Sequence, residues 1–122
     1  MNKIDTWKLK SSYSDLPRKF YSTINPVPVR APKLIIFNKK LANSLDIDLP
    51  YNDKETLSQL FSGNNLPKNS NPIAQAYAGH QFGHFSILGD GRAHLIGEHI
   101  APDGRCFDIQ FKGSGKTPYS RN

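Results

Sequence analysis

Phe85-Ser86-Ile87-Leu88-Gly89-Asp90-Gly91-Arg92-Ala93-His94-Leu95-Ile96-Gly97-Glu98-His99-Ile100, followed after Pro102-Asp103-Gly104 by Cys106-Phe107-Asp108-Ile109-Gln110-Phe111-Lys112, decides the fold class. An Asp-Gly pair between extended apolar runs marks a tight turn, and strict alternation over 106–111 marks a half-buried strand. The stretch predicts three antiparallel strands joined by two turns, with Gly89–Arg92 at a hairpin tip and Lys112 closing the third strand. Just upstream, residues 74–85 mix small residues, glycines and aromatics, a texture that suits close backbone approach more than a long helix.

Further upstream the period changes. Asn38 is a good N-cap, and Leu41, Ala42 and Leu45 share one face, so a short helix is expected to end near Asp46. Asp53 caps a second helix through Thr56, Leu57, Leu60 and Phe61, with Gly63 as its C′ glycine. Before these, Pro17, Pro26, Pro28 and Pro32 punctuate a polar segment in which each proline holds the preceding residue extended. The expected class is α+β: an extended Pro-rich arm over residues 1–33, anchored by Phe20 and Tyr21, and one unit over residues 34–122 with an antiparallel sheet and short helices. A disordered tail is the alternative reading of the arm.

Composition narrows the function classes. At 122 residues and 37% hydrophobic content, with nine Gly and nine Pro, the chain supports a single small, loop-rich core. The net charge of +6 suits an anionic partner such as a nucleotide, a nucleic acid or an acidic membrane surface. The basic residues are dispersed, however, and the densest group is Lys112, Lys116 and Arg121. A lone cysteine, Cys106, excludes an intrachain disulfide and a Cys-based zinc site. The longest apolar run, Leu34–Phe37, falls far short of the ~20 residues that span a bilayer. The N-terminus reads as neither signal nor transit peptide, so the cytoplasm is the expected compartment.

Gly113-Ser114-Gly115-Lys116-Thr117 imitates the tail of a Walker A loop, but Gln110 stands where that motif needs a glycine and Pro118 interrupts the helix that should follow. A better phosphate candidate is the Gly89-Asp90-Gly91-Arg92 turn. Missing Cβ atoms there let an anion approach backbone N–H groups, and Arg92 adds a charged fork. Lys112, at a strand end, can reach the same space as a point charge. Protein kinases use such a layout, a glycine-rich hairpin over the phosphates with a lysine on the third strand. A structural turn beside a solvated lysine accounts for the same residues. His80 and His84 stand four apart, which on a helix would place two imidazoles together, but Gly79 and Gly83 argue against that helix. His94 and His99, five apart in a strand, are expected on opposite faces. Hydrogen-bonded histidines are the simpler reading of all four, and no metal ligand is assigned.

Three longer motifs carry a resemblance. Residues Pro72-Ile73-Ala74-Gln75-Ala76-Tyr77-Ala78-Gly79-His80-Gln81-Phe82-Gly83, then Leu88-Gly89-Asp90-Gly91-Arg92-Ala93, then Asp108-Ile109-Gln110-Phe111-Lys112-Gly113-Ser114-Gly115 with Thr117-Pro118-Tyr119-Ser120-Arg121, closely resemble the selenoprotein O family, also called YdiU or UPF0061. The resemblance reaches back to Phe20-Tyr21 and the Pro-rich arm. It implies a protein-kinase-like fold, of which this chain would hold part of the N-lobe, and the transfer of AMP from ATP to Ser, Thr or Tyr hydroxyls of proteins. It assigns Gly89, Gly91 and Arg92 to nucleotide contact and Lys112 to phosphate binding, with ATP and Mg²⁺ as cofactors.

The family pattern continues for several hundred residues past the Ser-Arg pair, through its glutamate partner for the lysine, its proposed catalytic aspartate and its metal ligands. None of Asp5, Asp90, Asp103 or Asp108 matches those positions. The resemblance therefore implies an amino-terminal part with no catalytic residue of its own, expected to be inactive alone. Two other classes fit less of the sequence: a small basic nucleic-acid-binding module, which lacks an aromatic–basic strand pattern, and a non-functional remnant with Phe82, Phe85 and Phe111 left exposed.

Overall fold

A computed structural model describes the backbone of residues 4–81 and 83–120, with side chains for all of these except 77–81 and 84–87. Among the described residues six strands run β1 Leu9–Lys10, β2 Tyr21–Thr23, β3 Ile73–Gln81, β4 His84–Gly89, β5 Ala93–Ile100 and β6 Cys106–Lys112. Two helices, α1 Lys39–Ser44 and α2 Lys54–Phe61, precede β3. Every strand pairing among the described residues is antiparallel, in the order β1-β5-β3-β2 with β4 added to β3 and β6 to β5. The chain is thus a small α+β unit.

Both helices begin where their caps dictate. The Asn38 side chain accepts from the Leu41 N–H at 3.0 Å, and Asp53 accepts from the Thr56 N–H at 3.1 Å and from its hydroxyl at 2.7 Å. Each satisfies a backbone donor that a helix start otherwise leaves unpaired. Asp46 at φ 55° and Gly63 at φ 87° then turn the chain out of each helix.

β6 supplies the period-2 face its sequence announces: Phe107, Ile109 and Phe111 lie inward, while Cys106, Asp108, Gln110 and Lys112 are exposed. The core joins that inner face and Ile96 of β5 to Leu57 and Leu60 of α2, Ile47 and Leu49 after α1, and Ile4 and Trp7. Phe111, expected exposed in a remnant, is buried. Phe82 and the Phe85 side chain lie outside the described residues.

The arm belongs to this core. β1 pairs with β5 and β2 with β3, so residues 1–33 contribute two short strands and two core side chains. Of the two expected anchors, Tyr21 is half-buried in β2 with its hydroxyl donating to the Ser14 carbonyl at 2.8 Å, and only Phe20 differs from expectation. Phe20 is exposed, whereas Pro26 is buried, and Val27 packs so closely on Gly115 that a Cβ there would stand 2.4 Å from its Cγ2. Gly115 at φ 128° takes a backbone conformation that favours glycine, and the Val27 N–H donates to the Ser114 carbonyl at 2.9 Å.

The strand order corrects the sequence reading. Residues 73–81 form a strand, and β4 pairs with it over six positions, from Ala76 opposite Gly89 to Gln81 opposite His84. β4 and β5 are not partners, so Gly89–Arg92 is a corner between strands and not a hairpin tip. Beyond Gly89 the backbone stays on β3: the Asp90 N–H donates to the Gln75 carbonyl at 2.9 Å, and the Asp90 carboxylate accepts the Gln75 N–H at 3.0 Å. This continues the β3–β4 ladder one residue further, and the chain leaves it before it can fold back on β4. The second turn is a hairpin as expected, closed by Gly104 N–H to Ala101 at 2.9 Å and Ala101 N–H to Arg105 at 2.9 Å.

His94 and His99 share the inner face. His94 is opposite Phe111 and His99 opposite Phe107, two residues on one side of β6, because a bulge between Leu95 and Gly97 inserts an extra residue and shifts the alternation.

If the arm is part of this core, Ile4→Ala should destabilise the chain by about 2–5 kcal/mol, the usual range for truncating a buried aliphatic side chain. Urea denaturation followed by Trp7 fluorescence tests this; an unchanged midpoint would make the arm a separate appendage.

Candidate functional site

The β5–β6 ladder brings the two cations of the candidate site together. Ala93 is opposite Lys112, and the Gly113 N–H donates to the Arg92 carbonyl at 2.7 Å, so Arg92 and Lys112 occupy the same ladder end. Both side chains are exposed. Burial of Phe111 on the opposite face fixes which way Lys112 leaves the strand. The glycine turn lies immediately before Arg92, so Gly89, Gly91, Arg92 and Lys112 occupy one corner of the sheet. Arg121, the third member of the sequence cluster, lies outside the described residues.

One side of the turn is already covered. The Tyr119 ring fills the recess at Gly89, where a Cβ would stand 2.4 Å from its Cγ, and Ser120 lies 3.4 Å from the equivalent position at Gly91. Thr117 and Ser120 bind the turn's carbonyls: the Thr117 N–H donates to Gly91 at 3.2 Å, the Thr117 hydroxyl donates to Asp90, and the Ser120 hydroxyl donates to Gly91. Within the segment, the Tyr119 N–H donates to the Thr117 hydroxyl at 3.1 Å and the Thr117 N–H to the Ser120 hydroxyl at 2.9 Å. Sequence reading missed these three residues as partners of the turn. The available signal was hydroxyls flanking Pro118, a residue that forbids continued helix and so frees them to bond elsewhere. Those contacts also dispose of the Walker-like wording, since Thr117 holds a turn and residues 118–120 are not helical.

Behind the corner sits His94, with no exposed surface. Its Nδ1 lies 2.5 Å from the Ser114 hydroxyl, which donates to the Phe111 carbonyl at 2.8 Å. Burial holds its imidazole below the usual histidine range, against the opposing effects of the Asn25 backbone and the Asp90 charge. His99, also buried, accepts the Lys8 N–H at Nδ1 and faces the Leu45 carbonyl with Nε2, 2.7 Å away. The arm also reaches this corner, where the Tyr13 hydroxyl donates to the Ala76 carbonyl at 3.5 Å, and the phenol's pKa is raised first by burial and then by Asp90 and Tyr119.

The His80 and His84 side chains lie outside the described residues, but their backbones belong to β3 and β4, not to one helix. Among the described residues no group of three or more His, Cys, Asp or Glu could hold a metal ion, and no helix is long and apolar enough to cross a membrane.

The sequence that forms this sheet and corner is similar to that of proteins named as nucleotidyltransferases. The chain is 57% identical over 115 residues to the protein nucleotidyltransferase YdiU of Nitrosococcus oceani, across 94% of this chain and 23% of that protein. It is 60% identical over 116 residues to the one from Pelagibacter ubique and 55% over 115 to that of Brevibacillus brevis. The model of the protein adenylyltransferase SelO family matches residues 3–122, and the chain belongs to that family. It spans about a quarter of the length of the curated relatives it matches.

Two outcomes follow from this geometry. Gly89→Ala should destabilise the protein by about 1–3 kcal/mol through overpacking against Tyr119, and much less in a Tyr119→Gly background, which removes the Cβ as well as the ring; additive effects in a double-mutant cycle would refute the contact. His94, whose folded-state proton affinity is depressed, gives stability that is fully present above the unfolded histidine range near pH 6.5 and is lost as pH falls through it. Unfolding free energy should therefore drop between pH 7.5 and 5.5, with a shallower slope in His94→Gln.

Proposed function

We propose that this chain supplies part of the ATP-phosphate site of a protein adenylyltransferase, an enzyme that moves AMP from ATP to Ser, Thr or Tyr hydroxyls of other proteins. The observation that carries the reading is the convergence of the Gly89–Arg92 turn and Lys112 at one end of the β5–β6 ladder, in a chain whose relatives are named nucleotidyltransferases. In this reading the sheet corresponds to part of a kinase-like N-lobe. The reading gives the glycine turn and the strand-end lysine their kinase roles, although the turn joins two strands that are not partners.

The transfer forms a bond from the hydroxyl oxygen to the α-phosphorus and breaks the bond from that phosphorus to the oxygen bridging to the β-phosphate. Pyrophosphate leaves, and the hydroxyl proton passes to a base. Arg92 offers a two-pronged donor to phosphate oxygens and Lys112 a mobile point charge, and both oppose the negative charge gathering on the departing pyrophosphate. Gly91 keeps the backbone of the turn accessible. No residue of this chain is given the role of base. Mg²⁺ accompanies ATP in such chemistry, but no ligand set for it occurs among the described residues, so no step is routed through the ion.

Isothermal titration with ATP tests the reading. Arg92→Ala and Lys112→Ala should each weaken binding about tenfold, the equivalent of one charge-assisted contact, while Lys54→Ala on α2 should match the wild type. Equal affinities across all four proteins, or no binding to the wild type, would refute the site.

A further inference from the structure

We propose that Thr117-Pro118-Tyr119-Ser120 is a positioning strap that holds the Gly89–Arg92 turn with two consecutive amide N–H groups aimed away from it, toward bound phosphate. This deepens the phosphate reading above and rests on it for the identity of the ligand. The strap holds the turn at both carbonyls: Thr117 takes Asp90 through its hydroxyl and Gly91 through its N–H, and Ser120 takes Gly91 again.

A trans peptide points its N–H opposite to its C=O, and no cis peptide bond occurs among the described residues. Fixing the Asp90 carbonyl on the strap therefore turns the Gly91 N–H to the far side, and fixing the Gly91 carbonyl does the same for the Arg92 N–H. Successive N–H groups facing one way form a small anion-binding concavity. The Arg92 side chain and, across the ladder, Lys112 leave from the same corner.

The remaining contacts keep the turn from rotating. On the β3 side, Gln75 exchanges hydrogen bonds with Asp90 at 2.9 and 3.0 Å. At the start of the turn, the Tyr119 ring occupies the recess that only a glycine at 89 leaves open. The strap is itself braced, since Thr117 is buried and its hydroxyl accepts the Tyr119 N–H at 3.1 Å while donating to the turn. Thr117 and Ser120 need touch no ligand in this arrangement; they act through the turn.

The test uses the whole 122-residue chain labelled with ¹⁵N. Order parameters of the Gly91 and Arg92 amides, without ligand, should be near 0.85 in the wild type and in Thr117→Ser, and should fall below about 0.6 in Thr117→Val, which keeps shape but loses the hydroxyl. Ser120→Ala supplies a second variant should Thr117→Val fail to fold, and it should lower the Gly91 and Arg92 values in the same direction. A titration with inorganic triphosphate then reads the consequence: about tenfold weaker binding in Thr117→Val, with Thr117→Ser like the wild type.

Order parameters unchanged in the hydroxyl-deleted variants overturn the strap, whatever triphosphate does. Loss of order in a protein whose wild type ignores triphosphate upholds the strap as the scaffold of the turn and overturns the phosphate reading instead.

Discussion

The ladder between β5 and β6, with its bulge at Ile96–Gly97, is the constraint from which the rest of the molecule follows. β5 also pairs with three strands, β1, β3 and β6, as β3 does with β2, β4 and β5. One inserted residue lets His94, Ile96 and His99 all face the core, which a regular strand of period two cannot do. Each buried polar ring then needs a partner, because an unpaired buried polar group is costly. His99 finds Lys8 and Leu45, which ties the arm and the end of α1 to the sheet. His94 finds Ser114, which fixes the chain just beyond β6. The same ladder delivers Lys112 beside Arg92.

At the ladder end that carries Arg92 and Lys112, the carbonyls of the turn are held by neighbouring segments. Gln75 secures the turn from the sheet side and the Thr117–Ser120 segment from the other. Glycine at 89 is required by the Tyr119 ring pressed against it, a use different from the ligand access that the sequence suggested. The proposed phosphate access is compatible with this packing, because the two sides of a peptide plane are opposite faces.

Much of this was legible locally. The Asn38 and Asp53 caps, both short helices, the 101–105 hairpin turn and the alternating face of β6 depend on neighbours a few residues apart, and sequence pattern reports such neighbours directly. The pairing of β3 with β4 and the bulge in β5 are choices between ladders distant in sequence, and no local spacing encodes them. Phe20 was a plausible anchor by its bulk, yet it is exposed while Pro26 is buried, since Pro26 packs on Gly63 at the far end of α2. Ile35 and Ile36, part of the longest apolar run, are 95% and 85% exposed and stay out of the core altogether.

The sequence by itself determined the α+β class and the family, because residue type, short spacing and long motifs carry that information, while Gly89, Gly91, Arg92 and Lys112 are grouped by the resemblance alone. Only the tertiary structure decided that the glycine turn is a corner and not a hairpin tip, that the two histidines share a face, and that Thr117 and Ser120 grip the turn. Each of these rests on hydrogen bonds between residues far apart in the chain, whose partners are selected when the whole sheet closes.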